Sequence, residues 1–176
     1  MNKLLFYSNI FILFFGCTSH NNQNFKLNDN SSQYIKEYNK TEIDSIIQHN
    51  DYTIIFGWTE WCRASQSELK EHLVPYMKKA PANIGIISIC CGNYEKIKDF
   101  LRINKCEHSI YLLSDSWGGL DKWRLNKRFH KLFDKYKSVN YVPIVILCDT
   151  QKQILNWNTN DKRYNGIAYS ISQIKQ

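Results

Sequence analysis

Three uninterrupted apolar runs constrain this chain more than any other feature of it: Tyr52–Trp58, Ile84–Cys91 and Val142–Cys148. Each has the length of a strand and is rich in β-branched or aromatic residues. A strand without polar alternation is hidden on both faces, which is the habit of parallel sheets covered by crossover helices. The sequence between the runs supplies those helices. Thr41-Glu42-Ile43-Asp44 opens a short helix with a start resembling a capping box. Cys62 to about Lys79 is predicted helical, with Leu69, Leu73 and Tyr76 on one face and a kink at Pro75. Further helices are expected over Tyr94 to about Ile103, Leu120 to about Tyr136, and Gly166 to Lys175. Ile110–Leu113 reads as a short strand. Asp149–Lys152 reads as a turn that returns Gln153–Trp157 as an antiparallel partner. The expected class is α/β, with a central mixed but mainly parallel sheet flanked by helices on both faces.

A length of 176 residues suits one domain. The net charge of +7 is spread along the chain, which does not point to nucleic acid. The densest basic stretch, Lys122–Lys137, is interleaved with Trp123, Leu125, Phe129, Leu132, Phe133 and Tyr136. That spacing describes an amphipathic helix with a solvated basic face.

The N-terminus has a different character. Lys3 precedes an almost wholly apolar stretch, Leu4–Phe15, followed by Gly16, Cys17 and the polar run Thr18–Asn22. The apolar stretch is short for a membrane span and fits a secretory signal. Leu13-Phe14-Phe15-Gly16-Cys17 resembles a bacterial lipobox, although Phe14 and Phe15 depart from the usual residues. The resemblance implies cleavage before Cys17, acylation of its thiol (palmitate included) and stable membrane anchoring. The expected organisation is a signal peptide over 1–16, a lipidated cysteine and polar tether over 17–33, and a folded domain over 34–176. Export to the cell envelope, facing the periplasm or on the outer membrane, places that domain where disulfides persist.

The chemistry concentrates in Phe56-Gly57-Trp58-Thr59-Glu60-Trp61-Cys62-Arg63-Ala64-Ser65, where a strand gives way to a helix. A helix N-terminus presents unpaired N–H groups and partial positive charge, which favour a thiolate. Arg63 adds charge of the same sign. Trp58 and Trp61 are expected to form an apolar rim around the site.

These residues, with Tyr141-Val142-Pro143-Ile144 about 80 positions later, resemble the thioredoxin superfamily, in particular its exported thiol–disulfide branch. The resemblance spans roughly Tyr52 to Trp157. It implies a nucleophilic Cys62 and a cis-proline at Pro143 lying against it. It also implies a substrate-binding surface that includes Trp61, Val142 and Pro143. The partners implied are protein or small-molecule disulfides and thiols. No cofactor or metal is implied.

The sequence departs from the family at Ser65, where the second cysteine belongs. A serine hydroxyl can hydrogen-bond a Cys62 thiolate but cannot resolve a mixed disulfide. Cys106, Cys90 and Cys91 are the internal thiols considered for that step, with Cys148 ranked last because it ends its strand far from Pro143. Strand alternation should send Cys90 and Cys91 to opposite faces. Two weaker patterns are noted. Cys106-Glu107-His108 lacks zinc-ligand spacing, and Thr59-x-x-Cys62 matches a peroxiredoxin fragment whose proline is replaced by Ile55. The alternative to exchange chemistry is a non-catalytic binding or scaffold lipoprotein on the same fold.

Overall fold

The computed structural model describes residues 31–113, 121–157 and 166–174. The apolar runs become three central strands of a six-stranded sheet: β2 (Tyr52–Thr59), β3 (Ile84–Cys91) and β5 (Ile144–Asp149). β1 (Ile35–Glu37), β4 (Ile110–Leu113) and β6 (Ile154–Trp157) complete the order β1-β4-β3-β2-β5-β6. β1 to β4 are mutually parallel, and β5 runs antiparallel to both β2 and β6. β2 is flanked over its whole length by β3, from Tyr52↔Ile84 to Thr59↔Cys91, and over Tyr52–Gly57 by β5, from Tyr52↔Asp149 to Gly57↔Ile144.

Helices cover both faces, as the unbroken strands require. On one face α1 (Lys40–Gln48) and α5 (Asp121–Leu132) bury Ile43, Ile47, Leu125 and Phe129 against Ile55, Ile87 and Ile146. On the other, Leu69, Leu73, Ile97, Leu101 and Ile167 pack on Ile54, Phe56, Trp58 and Val145. These come from α2 (Arg63–Glu68) with its continuation, from α4 (Tyr94–Asn104) and from α6 (Ile167–Ser172). Gly57 permits the closest approach. A Cβ there would lie 2.7 Å from the Phe129 ring, so α5 can seat its aromatic directly on β2.

Several local expectations are revised. Ser31–Tyr34 forms a 3-10 turn with Ser31 buried. α1 is capped by Asn39, not Thr41: the Asn39 side chain accepts from the Thr41 and Glu42 N–H groups. Ahead of Pro75 the helix is locally rewound. A π-helical turn (Leu69–Leu73) precedes α3 (Val74–Met77), and the Val74 N–H reaches back to the Leu69 carbonyl. The missing N–H of Pro75 is thus absorbed by local rewinding. α5 stops at Leu132, short of the expected Tyr136, because the following chain turns back onto it. Trp123 faces solvent, where Lys127 lies 4.8 Å from its ring.

His108 lies in the segment before β4 and is 6% exposed, with both ring nitrogens lacking a hydrogen-bond partner. Burial holds its pKa down to about 4, against an ordinary 6.5. Between those values the unfolded chain binds a proton and the folded chain does not, so stability falls as pH falls from 6.5 towards 4. The expected loss is on the order of 3 kcal/mol. Urea unfolding of wild type and His108→Leu at pH 7.5 and 4.5 checks this: the substitution should flatten that part of the pH dependence.

Candidate active site

At its carboxyl end β2 turns through Glu60 and Trp61 into α2. The Cys62 N–H donates to the Thr59 carbonyl at 3.3 Å, and the Cys62 carbonyl accepts from the Gln66 N–H at 3.0 Å. Cys62 is therefore the N-cap residue of α2, in extended conformation (φ −85°, ψ 109°), and its side chain makes no capping bond. Its free, partly exposed thiol instead donates to the Val142 carbonyl, with Sγ···O 3.6 Å. The Val142–Pro143 peptide bond is cis. Eighty residues separate these groups in the chain, and the β2–β5 register joins them. Gly57 opposite Ile144 sets the end of one strand beside the beginning of the other.

Two polar supports hold the segments in place. The first is Asn126 on α5, 6% exposed. Its Oδ1 accepts from the Tyr136 hydroxyl at 2.6 Å and from the Val139 N–H at 2.9 Å, and its Nδ2 donates to the Val139 carbonyl at 2.9 Å. Three buried hydrogen bonds thus tie down the chain just before Tyr141-Val142-Pro143. The second is Glu60, 9% exposed, whose Oε1 accepts from the Asn93 N–H at 3.4 Å. A Cβ on Gly92 would lie 1.8 Å from Glu60 Oε2, so only glycine leaves the carboxylate room. Gln66 Nε2 also donates to the Glu60 carbonyl, fastening the turn to the first turns of α2.

The predicted site residues are not equally close to the sulfur. Trp61 is 59% exposed, as a rim residue should be, but Trp58 is wholly buried. Its Nε1 donates to Ser88 Oγ at 3.0 Å and its ring packs near Phe56 and Phe100, so it is a core residue. Arg63 is exposed at the start of α2. Ser65 is fully buried and its Oγ has no hydrogen-bond partner, so the expected bond to Cys62 is absent. Thr59 Oγ1 and Glu60 Oε2 are also buried without partners, which gathers three such oxygens within a few residues of the thiol. Unpaired buried polar atoms are scarce in folded proteins.

The remaining thiols separate by location. Cys90 packs with Trp58 on the α2/α4 face and Cys91 with Leu125 and Phe129 on the α1/α5 face, as alternation requires. Cys91 is the neighbour of Thr59, and Arg124 Nη1 lies 3.7 Å from its sulfur. Cys106 follows the left-handed Lys105 that ends α4, with its N–H on the Leu101 carbonyl. Burial raises its pKa against the pull of Lys70 and Lys78. Cys148 sits opposite Thr53 at the far end of β2, with its pKa pushed up to about 12, chiefly by burial. No group of three or more metal-ligating side chains occurs among the described residues.

Sequence reasoning missed Asn126 and the role of Glu60. The one signal for Asn126 is an amide beside Leu125 and one turn before Phe129, on the apolar stripe of a basic helix. Nothing local marks Glu60 as buried, because its cover comes from Gly92 and Asn93.

An α/β sheet with a lone thiol at a strand-to-helix turn, facing a cis-proline, defines the class of site. Neither a family profile nor a curated protein matches the sequence. Solved structures do match. A thiol:disulfide interchange protein of the thioredoxin family from Chlorobium tepidum superposes with a TM-score of 0.51 at 12% identity, over 73% of this chain and 81% of its own. The thioredoxin domain of a thiol-disulfide oxidoreductase from Bacteroides vulgatus gives 0.50 at 14% identity, over 73% and 81%. A secreted disulfide oxidoreductase from Mycobacterium tuberculosis gives 0.50 at 12% identity, over 73% and 85%. The chain has the thioredoxin fold.

The Asn126 network yields a direct expectation. Asn126→Ala removes three buried hydrogen bonds, to the Tyr136 hydroxyl and to the Val139 N–H and carbonyl, and should cost about 2–4 kcal/mol. Urea unfolding at neutral pH measures the loss, and a change under ~0.5 kcal/mol would show that the loop is held by other contacts.

Proposed function

We propose that this protein performs thiol–disulfide exchange through Cys62 as its single nucleophile. The observation that carries the reading is the partly exposed thiol at a helix N-cap, 3.6 Å from the carbonyl of the residue before a cis-proline. The Cys62 thiolate attacks one sulfur of a substrate disulfide. A Cys62–substrate disulfide forms as the substrate S–S bond breaks, and the other substrate sulfur leaves as a thiolate. A second thiolate then attacks one sulfur of the mixed disulfide: a new disulfide forms to that sulfur, the Cys62–substrate bond breaks, and the other sulfur leaves as a thiolate. Ser65 offers no sulfur for that step, so an external protein or small-molecule thiol supplies it.

The reaction is expected to follow Cys62 alone. With a chromogenic aryl disulfide, wild type should release one fast equivalent of aryl thiolate and hold the other as a mixed disulfide. Cys62→Ala should lose that phase. Ser65→Cys should discharge the mixed disulfide at least ~10-fold faster, because the new thiol attacks within the molecule. A fast phase that survives in Cys62→Ala would assign the reactivity elsewhere.

A non-catalytic binding role on the same fold is the second reading. The buried, unpartnered Ser65 hydroxyl favours it, since that side chain gives the sulfur no help.

The same proposal places the domain at a membrane, exported and held by lipid on Cys17. Residues 1–30, including Cys17, lie outside the described residues. The support is the order of a charged start, an apolar stretch and Gly16-Cys17. Expression in a bacterium fed labelled palmitate should label the wild-type chain and leave Cys17→Ser unlabelled.

A further inference from the structure

α5 turns one side to the sheet and the other to the surroundings. Leu125, Phe129 and Leu132 are buried in the core on that face of the sheet. Trp123, Lys127 and Lys131 stand four positions apart and so line the opposite side. Trp123 is 52% exposed, and Lys127 Nζ lies 4.8 Å from its ring centre. Beyond the helix end, Lys135 and Lys137 are exposed as well. An exposed indole beside cations suits the boundary between water and lipid headgroups.

The charge of this face is one-sided. From 121 to 137 the chain carries seven lysines and arginines against two acids, Asp121 and Asp134. Arg124 and Arg128 are directed elsewhere, Arg124 to the Cys91 sulfur and Arg128 over the Tyr38 ring. Among the described residues, Lys127, Lys131, Lys135 and Lys137 have no carboxylate partner. Of the described side chains, these four exposed cations are set against one exposed carboxylate, Asp134. The acids of α1, on the same side of the sheet, do not offset them: Glu42 pairs with Lys36, and Asp44 with Lys40 and Lys152.

We infer that this face docks on an anionic phospholipid surface; the inference rests on the placement beside a membrane proposed above. Ser31 stands fourteen residues beyond Cys17. A chain of that length spans at most about 50 Å, so a lipid-held domain meets the leaflet continually. Anionic headgroups are then the partner nearest to hand, and each lysine close to them strengthens the contact. The apolar stripe of α5 is already buried in the domain, so the helix rests on the headgroups through its lysines, and only the Trp123 ring enters them. Docked in this way, the domain turns its α2/α4 side away from the membrane. A soluble polyanion would use the same lysines but gains nothing from the tether.

The test follows Trp123 fluorescence in the full chain reconstituted in vesicles whose lipids carry bromine near the headgroup end of the acyl chain, which quenches nearby indoles. Two compositions are compared: phosphatidylcholine alone, and phosphatidylcholine with about 30% phosphatidylglycerol. The chain has 5 tryptophans, so the Trp123 signal is wild type minus Trp123→Phe. Leu4–Phe15 is present in every sample, so only the difference between the two compositions counts. Quenching of Trp123 should be at least ~3-fold greater with phosphatidylglycerol, and the excess should shrink as salt rises from about 20 to 300 mM. Lys127→Gln, Lys131→Gln and Lys135→Gln should each reduce the excess, and the three together should remove it. Equal quenching in the two compositions, none in either, or an excess that survives the triple substitution overturns the inference. So does lysine-dependent binding to heparin without that excess, which assigns the cations to a soluble polyanion. Palmitate labelling reads the anchor separately. A labelled chain without the lysine-dependent excess keeps its anchor and loses the docking face, whereas an unlabelled chain with it keeps the face and loses the anchor.

Discussion

The antiparallel pairing of β2 with β5 is the contact on which the rest of the site depends. β2 already has a parallel partner in β3, so over Tyr52–Gly57, where β5 pairs with it as well, its backbone is committed to one neighbour or the other. Register follows from this. A slip of one residue would turn Ile54, Phe56 and Trp58 away from the α2/α4 core and break both apolar clusters at once. Because that register is fixed, the turn after β2 and the segment before β5 meet at the same edge. The thiol and the cis-proline are brought together by hydrogen bonds made well away from either of them.

Polar groups hold that edge, and this distinguishes it from the remainder of the core. Asn126 satisfies one hydroxyl, one N–H and one carbonyl in a buried setting. Such networks are worth most when complete, since a missing partner leaves a desolvated group behind. Glu60 is held by a backbone N–H and by the absence of a side chain at Gly92. By contrast, Thr59 Oγ1, Glu60 Oε2 and Ser65 Oγ have no partners. The turn bearing Cys62 thus combines firm anchorage on its flanks with unmet hydrogen-bonding capacity beside the sulfur.

In the exchange reaction proposed above, Ser65 limits what the geometry can do. A buried hydroxyl that does not reach the sulfur neither resolves a mixed disulfide nor steadies the thiolate directly. Cys148 lies at the other end of β2, and Cys106 is buried just after the end of α4.

The three apolar runs, the strand-to-helix turn at Cys62 and the proline before β5 were legible in the sequence, because burial on two faces and backbone breakers leave local marks. The helical stretch carrying Leu69, Leu73 and Tyr76 was legible for the same reason. Roles set by distant neighbours were not. Trp58 and Trp61 look alike in the chain, but strand alternation sends one into the core against Ser88 and Phe100 while the turn leaves the other in solvent. Asn39 rather than Thr41 caps α1, and α5 ends early because Tyr136 bonds back to Asn126. By itself, the sequence determined which segments must be buried and where the chain must turn. Only the tertiary structure decided which polar side chains those segments enclose, because a hydrogen bond between residues far apart in the chain has no local signature.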